Sequence, residues 1–210
     1  MIGWLPSVAL FAALIGYYAT WINNAAAALS ANAFDLAEWV GIIPAVRYAD
    51  PPMVAPFALR LALVMLAWLF ALHSAAARRL FGRAVFGVIG LALALSLRPP
   101  IAFFRGETAD PNYQQLALLC FVALLGVALI SALGWGSMGR RWWWRLIALP
   151  LGLIGILSAL IGLSGALEGL GRLQIPTPLG AGGILYLIGI TAYAALNALS
   201  ALHTRNKTGR

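Results

Sequence analysis

Acidic residues are scarce in this chain: six Asp and Glu in 210 residues, none of them inside a long apolar run. Phoshoryl transfer within a membrane ordinarily needs carboxylates to hold a metal ion, so the scarcity argues against it. It argues equally against proton- or sodium-coupled transport, because coupling relies on an ionisable group within the bilayer. There is one cysteine, Cys120, in the apolar run LALLCFVALL, so no internal disulfide can form and a packed core thiol is expected. Only two histidines occur, His73 and His203. No Walker loop, His-Glu-x-x-His or Cys-x-x-Cys is present. We therefore expect no catalytic residue, no metal and no cofactor, and a protein that is not an enzyme.

Charge is sparse altogether, at 10% of residues, which is too little to coat a soluble domain of this size. The net charge of +8 comes from small basic clusters between apolar stretches. That distribution fits the positive-inside rule for membrane proteins, and no nucleic-acid partner is expected.

What the chain has in abundance is apolar sequence: 62% hydrophobic, with mean hydropathy +0.90. Polar breaks divide it into six runs, at residues 3–21, 55–76, 80–97, 116–135, 146–167 and 181–202. Arg83 trims the third at one end and Arg98-Pro99-Pro100 at the other. The expected fold class is all-α, a polytopic transmembrane helical bundle of three hairpins forming a single integral membrane domain over residues 1–210. Charge tests this division independently. With both termini cytoplasmic, the inner segments hold Arg78, Arg79, Arg83, Arg140, Arg141, Arg145, Arg205, Lys207 and Arg210 and no acid. The outer segments hold Arg47, Arg60, Arg98, Arg105 and Arg172 together with every acid in the chain. The expected location is a cell membrane of the bacterial inner-membrane kind, N-in and C-in.

Aromatic residues follow the same map. Trp4, Trp135 and Trp142-Trp143-Trp144 fall at the inner interface, and Tyr17, Tyr18, Trp21 and Trp39 at the outer one. The triple tryptophan beside Arg140, Arg141 and Arg145 is expected to anchor to anionic lipid of the inner leaflet. Ala31-Asn32-Ala33 resembles a signal-peptide cleavage site, but the first run exceeds a typical signal core and no basic side chain precedes it, so it reads as a span. The longest outer connection, residues 23–55, carries Asn32 and Asp35 as a capping pair for a short interfacial helix over 33–40 that Gly41 could end. Prolines mark the three outer loops. The segments Ala71-Leu72-His73-Ser74 and Ala201-Leu202-His203-Thr204 echo one another at the same end of two spans.

In lipid, small residues at helical spacing mark helix contacts. The fifth run has the best such face, Gly155, Ser158, Ala159, Gly162, Gly165, Ala166 and Gly169, which places it at the centre of the bundle or against a partner subunit. Within it, Gly162-Leu163-Ser164-Gly165 resembles the Gly-x-Ser-Gly of rhomboid proteases. Ser164 lies at the outer end of its run and both histidines at inner ends, so that serine would have no base and the protease reading is rejected.

Arg60 and Arg98 lie on small-residue faces near the outer ends of the second and third runs. Both are expected to point into the bundle, pairing with Asp35, Glu38, Asp50 or Glu107, or else gripping an anionic ligand. His73 and His203 are expected to be interfacial polar tips, with haem or pigment ligation as the sharper alternative.

Two functions follow. The first is a non-catalytic accessory or scaffold subunit of a larger membrane complex, with other membrane subunits as partners. The second rests on layout: six helices, an N-in start and a long first outer loop resemble the substrate-binding components of energy-coupling-factor vitamin importers. Those proteins dock through a small-residue stripe on their first helix, which Ala9, Ala12, Ala13 and Gly16 resemble. The resemblance implies transport, and an outward-facing pocket for a small anionic or lipid-like ligand.

Overall fold

Helix accounts for 80% of the computed structural model, which describes residues 4–24, 29–106, 108–134, 141–175 and 177–208. The order is α1 (Leu5–Tyr18), β1 (Ile22–Asn24), β2 (Leu29–Ala31), α2 (Ala33–Gly41), α3 (Pro44–Arg47), α4 (Val54–Ala76), α5 (Leu80–Ser96), α6 (Ile101–Phe104), α7 (Pro111–Gly134), α8 (Trp142–Leu146), α9 (Ala148–Arg172) and α10 (Ala181–Thr208).

Four helical segments are long and apolar enough to cross a membrane: α4, α7, the α8–α9 run and α10. The other two apolar helices are shorter than the sequence suggested, at 14 residues for α1 and 17 for α5. At 1.5 Å per residue they cover about 21 and 26 Å, less than a hydrocarbon core of about 30 Å. The early end of α1 has a local cause. Ala19 is extended, and the Trp21 indole N–H donates to the freed Gly16 carbonyl at 2.8 Å. The chain then enters an antiparallel hairpin, β1–β2, where the hydropathy pattern suggested only loop. An isolated bridge between Ile22 and Leu179 ties that hairpin to the α9–α10 connection.

α2 forms where the capping pair placed it. The Asn32 side chain accepts the Asp35 backbone N–H at 3.0 Å, and its own amide donates to the Asp35 carboxylate at 2.7 Å. The helix runs one residue past the expected end and includes Gly41. At the start of α7, Pro111 occupies the first helical position, where its missing N–H costs nothing. The Asp110 carboxylate accepts the Asn112 N–H at 2.8 Å.

The central element is α4, not the fifth run as its small residues suggested. It packs against α2, α5, α7 and α9, and Leu59, Leu63, Leu66 and Phe70 are fully buried. Apolar burial yields little in lipid, so close backbone approach and dispersion hold such helices together. The small residues of α9 serve that purpose within the chain. A methyl on Gly162 would lie 2.6 Å from Leu59 Cγ, and one on Gly165 2.9 Å from Ala55 Cβ. Gly155 and Gly152 meet α10 at Ile190 and Ala194, and Ala159 and Ala166 are buried on the same face. This face is occupied internally and offers no surface to another subunit. The first-helix stripe has the same fate: Gly16 lies against the Tyr186 backbone, and Ala13 against Gly189 of α10.

Outward faces are aliphatic. Leu118, Phe121, Leu125, Leu129 and Leu133 form an exposed stripe along α7, and Leu153, Leu157, Leu160 and Ile161 another on α9. Such continuous apolar exposure suits a hydrocarbon surrounding. Within the tryptophan run, Trp144 is buried beside Gly134 and Trp143 packs edge-on against it, while Arg205 lies 5.4 Å over the Trp142 ring. Trp135 and Arg140 fall outside the described residues.

Candidate functional site

Two polar centres sit at opposite ends of α4. The first surrounds Arg60, which is fully buried nearly two turns into the helix. A charged group there needs partners, because desolvating an unpaired guanidinium is very costly. It donates to Glu38 at 2.6 Å, to the Asn112 side-chain oxygen at 2.6 Å and to Gln115 at 2.8 Å. Asn112 also donates to the second Glu38 oxygen at 3.2 Å, and Gln115 to the Met53 carbonyl at 3.2 Å. The cluster joins α2, α4 and α7 into one polar clamp.

Of the acids expected near Arg60, Glu38 is its partner and Asp35 is not: Asp35 is exposed and engaged with Asn32. Glu107 falls outside the described residues. Arg98 does not enter the bundle. α5 ends at Ser96, so the helical phase linking Arg98 to Gly87, Gly90 and Ala94 no longer holds; Leu97 and Pro99 take the buried positions and Arg98 is exposed. The two arginines therefore do not converge. With both terminal nitrogens of its guanidinium taken by protein oxygens, Arg60 holds the helices together, and its Nε is left buried without a partner. Asn112 and Gln115 were missed by charge-based reasoning, although their i, i+3 spacing at the start of an apolar helix is a visible signal.

A second ion pair, Arg47–Asp110 at 3.0 Å, lies at the same end. Burial alone would raise the Asp110 carboxyl; the hydrogen bonds from Arg47 and from the Asn112 N–H outweigh it and hold the group below its ordinary value. A cavity of about 360 Å³ nearby is bordered by Asp50, Ser164 and Glu168, and Glu168 is paired with Arg172 at 2.6 Å.

A cavity of about 640 Å³ lies at the other end of α4, within the size range of small-molecule sites. Five helices and a connection build it. α4 supplies His73 on its last turn. The break between α4 and α5, extended at Ala77 and Arg79, presents Arg78 and Arg79. Arg145 comes from α8, Phe86 from α5 and Ser7 from α1. α10 continues past the apolar run to Thr208 and contributes Asn197, Ser200, His203 and Thr204. Among the described residues no acidic side chain lines this space. Three arginines beside hydroxyls and one amide, with no carboxylate among the described lining residues, are chemically suited to an anion.

Sequence reasoning noted the two histidines at matching ends but sought the ligand site elsewhere. The four-residue echo was the available signal: its two copies bring His73 and His203 into one cavity. His73 is poorly suited to a metal. Its Nε2 lies 2.9 Å from Ser7 Oγ and its Nδ1 3.4 Å from the Tyr193 hydroxyl, so both ring nitrogens are engaged. Among the described residues no group of three or more His, Cys, Asp or Glu could hold an ion. No protein-family model matches this chain, and no curated protein or solved structure matches it either.

Proposed function

We propose that this protein crosses a cell membrane six times, through α1, α4, α5, α7, α8–α9 and α10, with both termini cytoplasmic, and that it binds an anionic amphiphile in the basic cavity at the cytoplasmic end. The cavity carries the reading: Arg78, Arg79 and Arg145 line one volume of about 640 Å³ with no acid among its described lining residues. Charge asymmetry supports the orientation, since basic residues line the cavity end and the acids Glu38 and Asp110 are paired at the other end of α4. The short α1 and α5 fit a bilayer that thins locally beside them, or whose headgroups dip toward the cavity.

Of the two functions considered, ligand binding is the one these features favour. The scaffold reading drew on the small-residue face of α9, and α4 and α10 use that face. The ligand site sits at the end opposite to the one the importer resemblance implied. Purified protein in neutral detergent should gain thermal stability from phosphatidate or phosphatidylglycerol and not from phosphatidylcholine. Arg79→Gln combined with Arg145→Gln should abolish the gain. Equal stabilisation by the zwitterionic lipid would refute the proposal.

A further inference from the structure

We infer that Ser7 and His73 form a nucleophile–base pair that cleaves a carboxylic ester in an anionic amphiphile held in the basic cavity. The two residues are 66 positions apart, on α1 and α4, and both line the cavity. Ser7 Oγ lies 2.9 Å from His73 Nε2, within the reach a base needs. The proton arrangement follows from the next partner. Tyr193 has one hydroxyl proton, and that hydroxyl donates to the Leu69 carbonyl at 3.4 Å. It can then serve His73 only as an acceptor, 3.4 Å from Nδ1. With its proton on Nδ1 the ring turns the Nε2 lone pair to Ser7, and this is the tautomer a general base requires. Phe86, whose ring centre is 4.4 Å from that of His73, packs edge-to-face against the imidazole and limits its rotation.

The chemistry balances with water as the co-reactant. Ser7 Oγ attacks the ester carbonyl carbon while its proton passes to Nε2. The carbon–oxygen bond to the leaving alcohol then breaks, and that alcohol takes the proton from His73. Water, deprotonated by the same nitrogen, releases the acid from Ser7 and restores the hydroxyl. During the attack an imidazolium forms in a cavity that already holds Arg145, Arg78 and Arg79 and, among the described residues, no carboxylate. The charge that offsets it has to arrive with the substrate, so phosphate-bearing esters are preferred over neutral ones.

The substrate class rests on the anion-binding reading above; the reactivity of Ser7 rests on the pair alone, and the experiment separates them. The full-length protein in detergent is treated with an alkyl fluorophosphonate, which forms an Oγ–P bond and loses fluoride and the proton. Peptide mass spectrometry should place the adduct on Ser7. Ser7→Ala should remove it, His73→Gln should slow it at least about 100-fold, and Tyr193→Phe should slow it less, while a cooperative thermal unfolding transition without added lipid verifies that each variant is folded. In parallel, fatty acid release from an acyl glycerol phosphate should exceed that from the neutral acylglycerol at least about tenfold. A folded wild-type protein with no adduct on Ser7, or labelling unchanged in His73→Gln, overturns the inference. Labelling of Ser7 with no preference for the anionic ester overturns the substrate class and leaves the pair standing.

Discussion

Removing Glu38 should cost more stability than removing Arg60, although Arg60 is the buried member of the pair. In Glu38→Gln the guanidinium stays fully buried with only neutral oxygens from residue 38, Asn112 and Gln115 around it. Stranding one member of a buried ion pair costs about 3–5 kcal/mol. The Glu38 side chain is 40% exposed, so water can reach the altered end, and we take the low end, about 3 kcal/mol. Arg60→Met removes the charge and fills its space with an apolar chain. Glu38 can then rehydrate and Gln115 keeps its bond to Met53. The Asn112 side-chain oxygen, in a residue 9% exposed, is the group left unsatisfied, and one such group costs about 1–3 kcal/mol. The double variant should then be well short of additive, with a coupling of about 1–3 kcal/mol. Reversible unfolding in mixed micelles, titrated with denaturing detergent, measures all four corners of this cycle. Additivity within about 0.5 kcal/mol, or a Glu38→Gln variant as stable as the parent, would show that Arg60 is not held by this acid.

Three further outcomes are expected. Gly162→Ala places a methyl 2.7 Å from the Leu59 backbone nitrogen and should destabilise by about 1–3 kcal/mol; Gly171→Ala, with nothing within 4 Å, should be neutral or slightly stabilising in the same unfolding assay. Because the Asp110 carboxyl is held below its ordinary value, its pairing contributes stability above the unfolded-state value near 4, lost as pH falls through the lower folded value. The stability gap between the parent and Asp110→Asn should therefore be present at pH 7 and shrink toward pH 3. For topology, single cysteines at Arg141 and Arg172 in a Cys120→Ala background should label from opposite sides of sealed vesicles with an impermeant maleimide, and labelling from one side would refute the six-span arrangement.

Hydropathy and charge sufficed for the class of molecule. A solvent without water demands helices that satisfy their own backbone bonds, and the runs at 55–76 and 181–202 are apolar enough to read directly. The α2 start was legible too, since Asn32 and Asp35 act within three residues. Span length was less so: whether α1 continued past Tyr18 depended on Trp21 folding back onto Gly16, a contact that hydropathy does not encode. Small residues on α9 announced close packing, but a stripe of glycine has no address; the partner became α4 because Leu59 and Ala55 fit there. Arg98 shows the same limit, as one turn of helix ending at Ser96 moved it from an inward face to the surface.

By itself, the order of residues determined that this chain carries helices apolar enough to cross a membrane, and which of the segments between its apolar runs are basic and which hold the few acids. Those properties depend on local composition, which any fold must obey. Which polar groups meet was decided only by tertiary structure. Arg60 found Asn112 and Gln115 some 50 residues away, and Ser7, His73, Arg145 and His203 came from four helices to one cavity. Hydrogen bonds act over about 3 Å, and only packing brings distant segments that close.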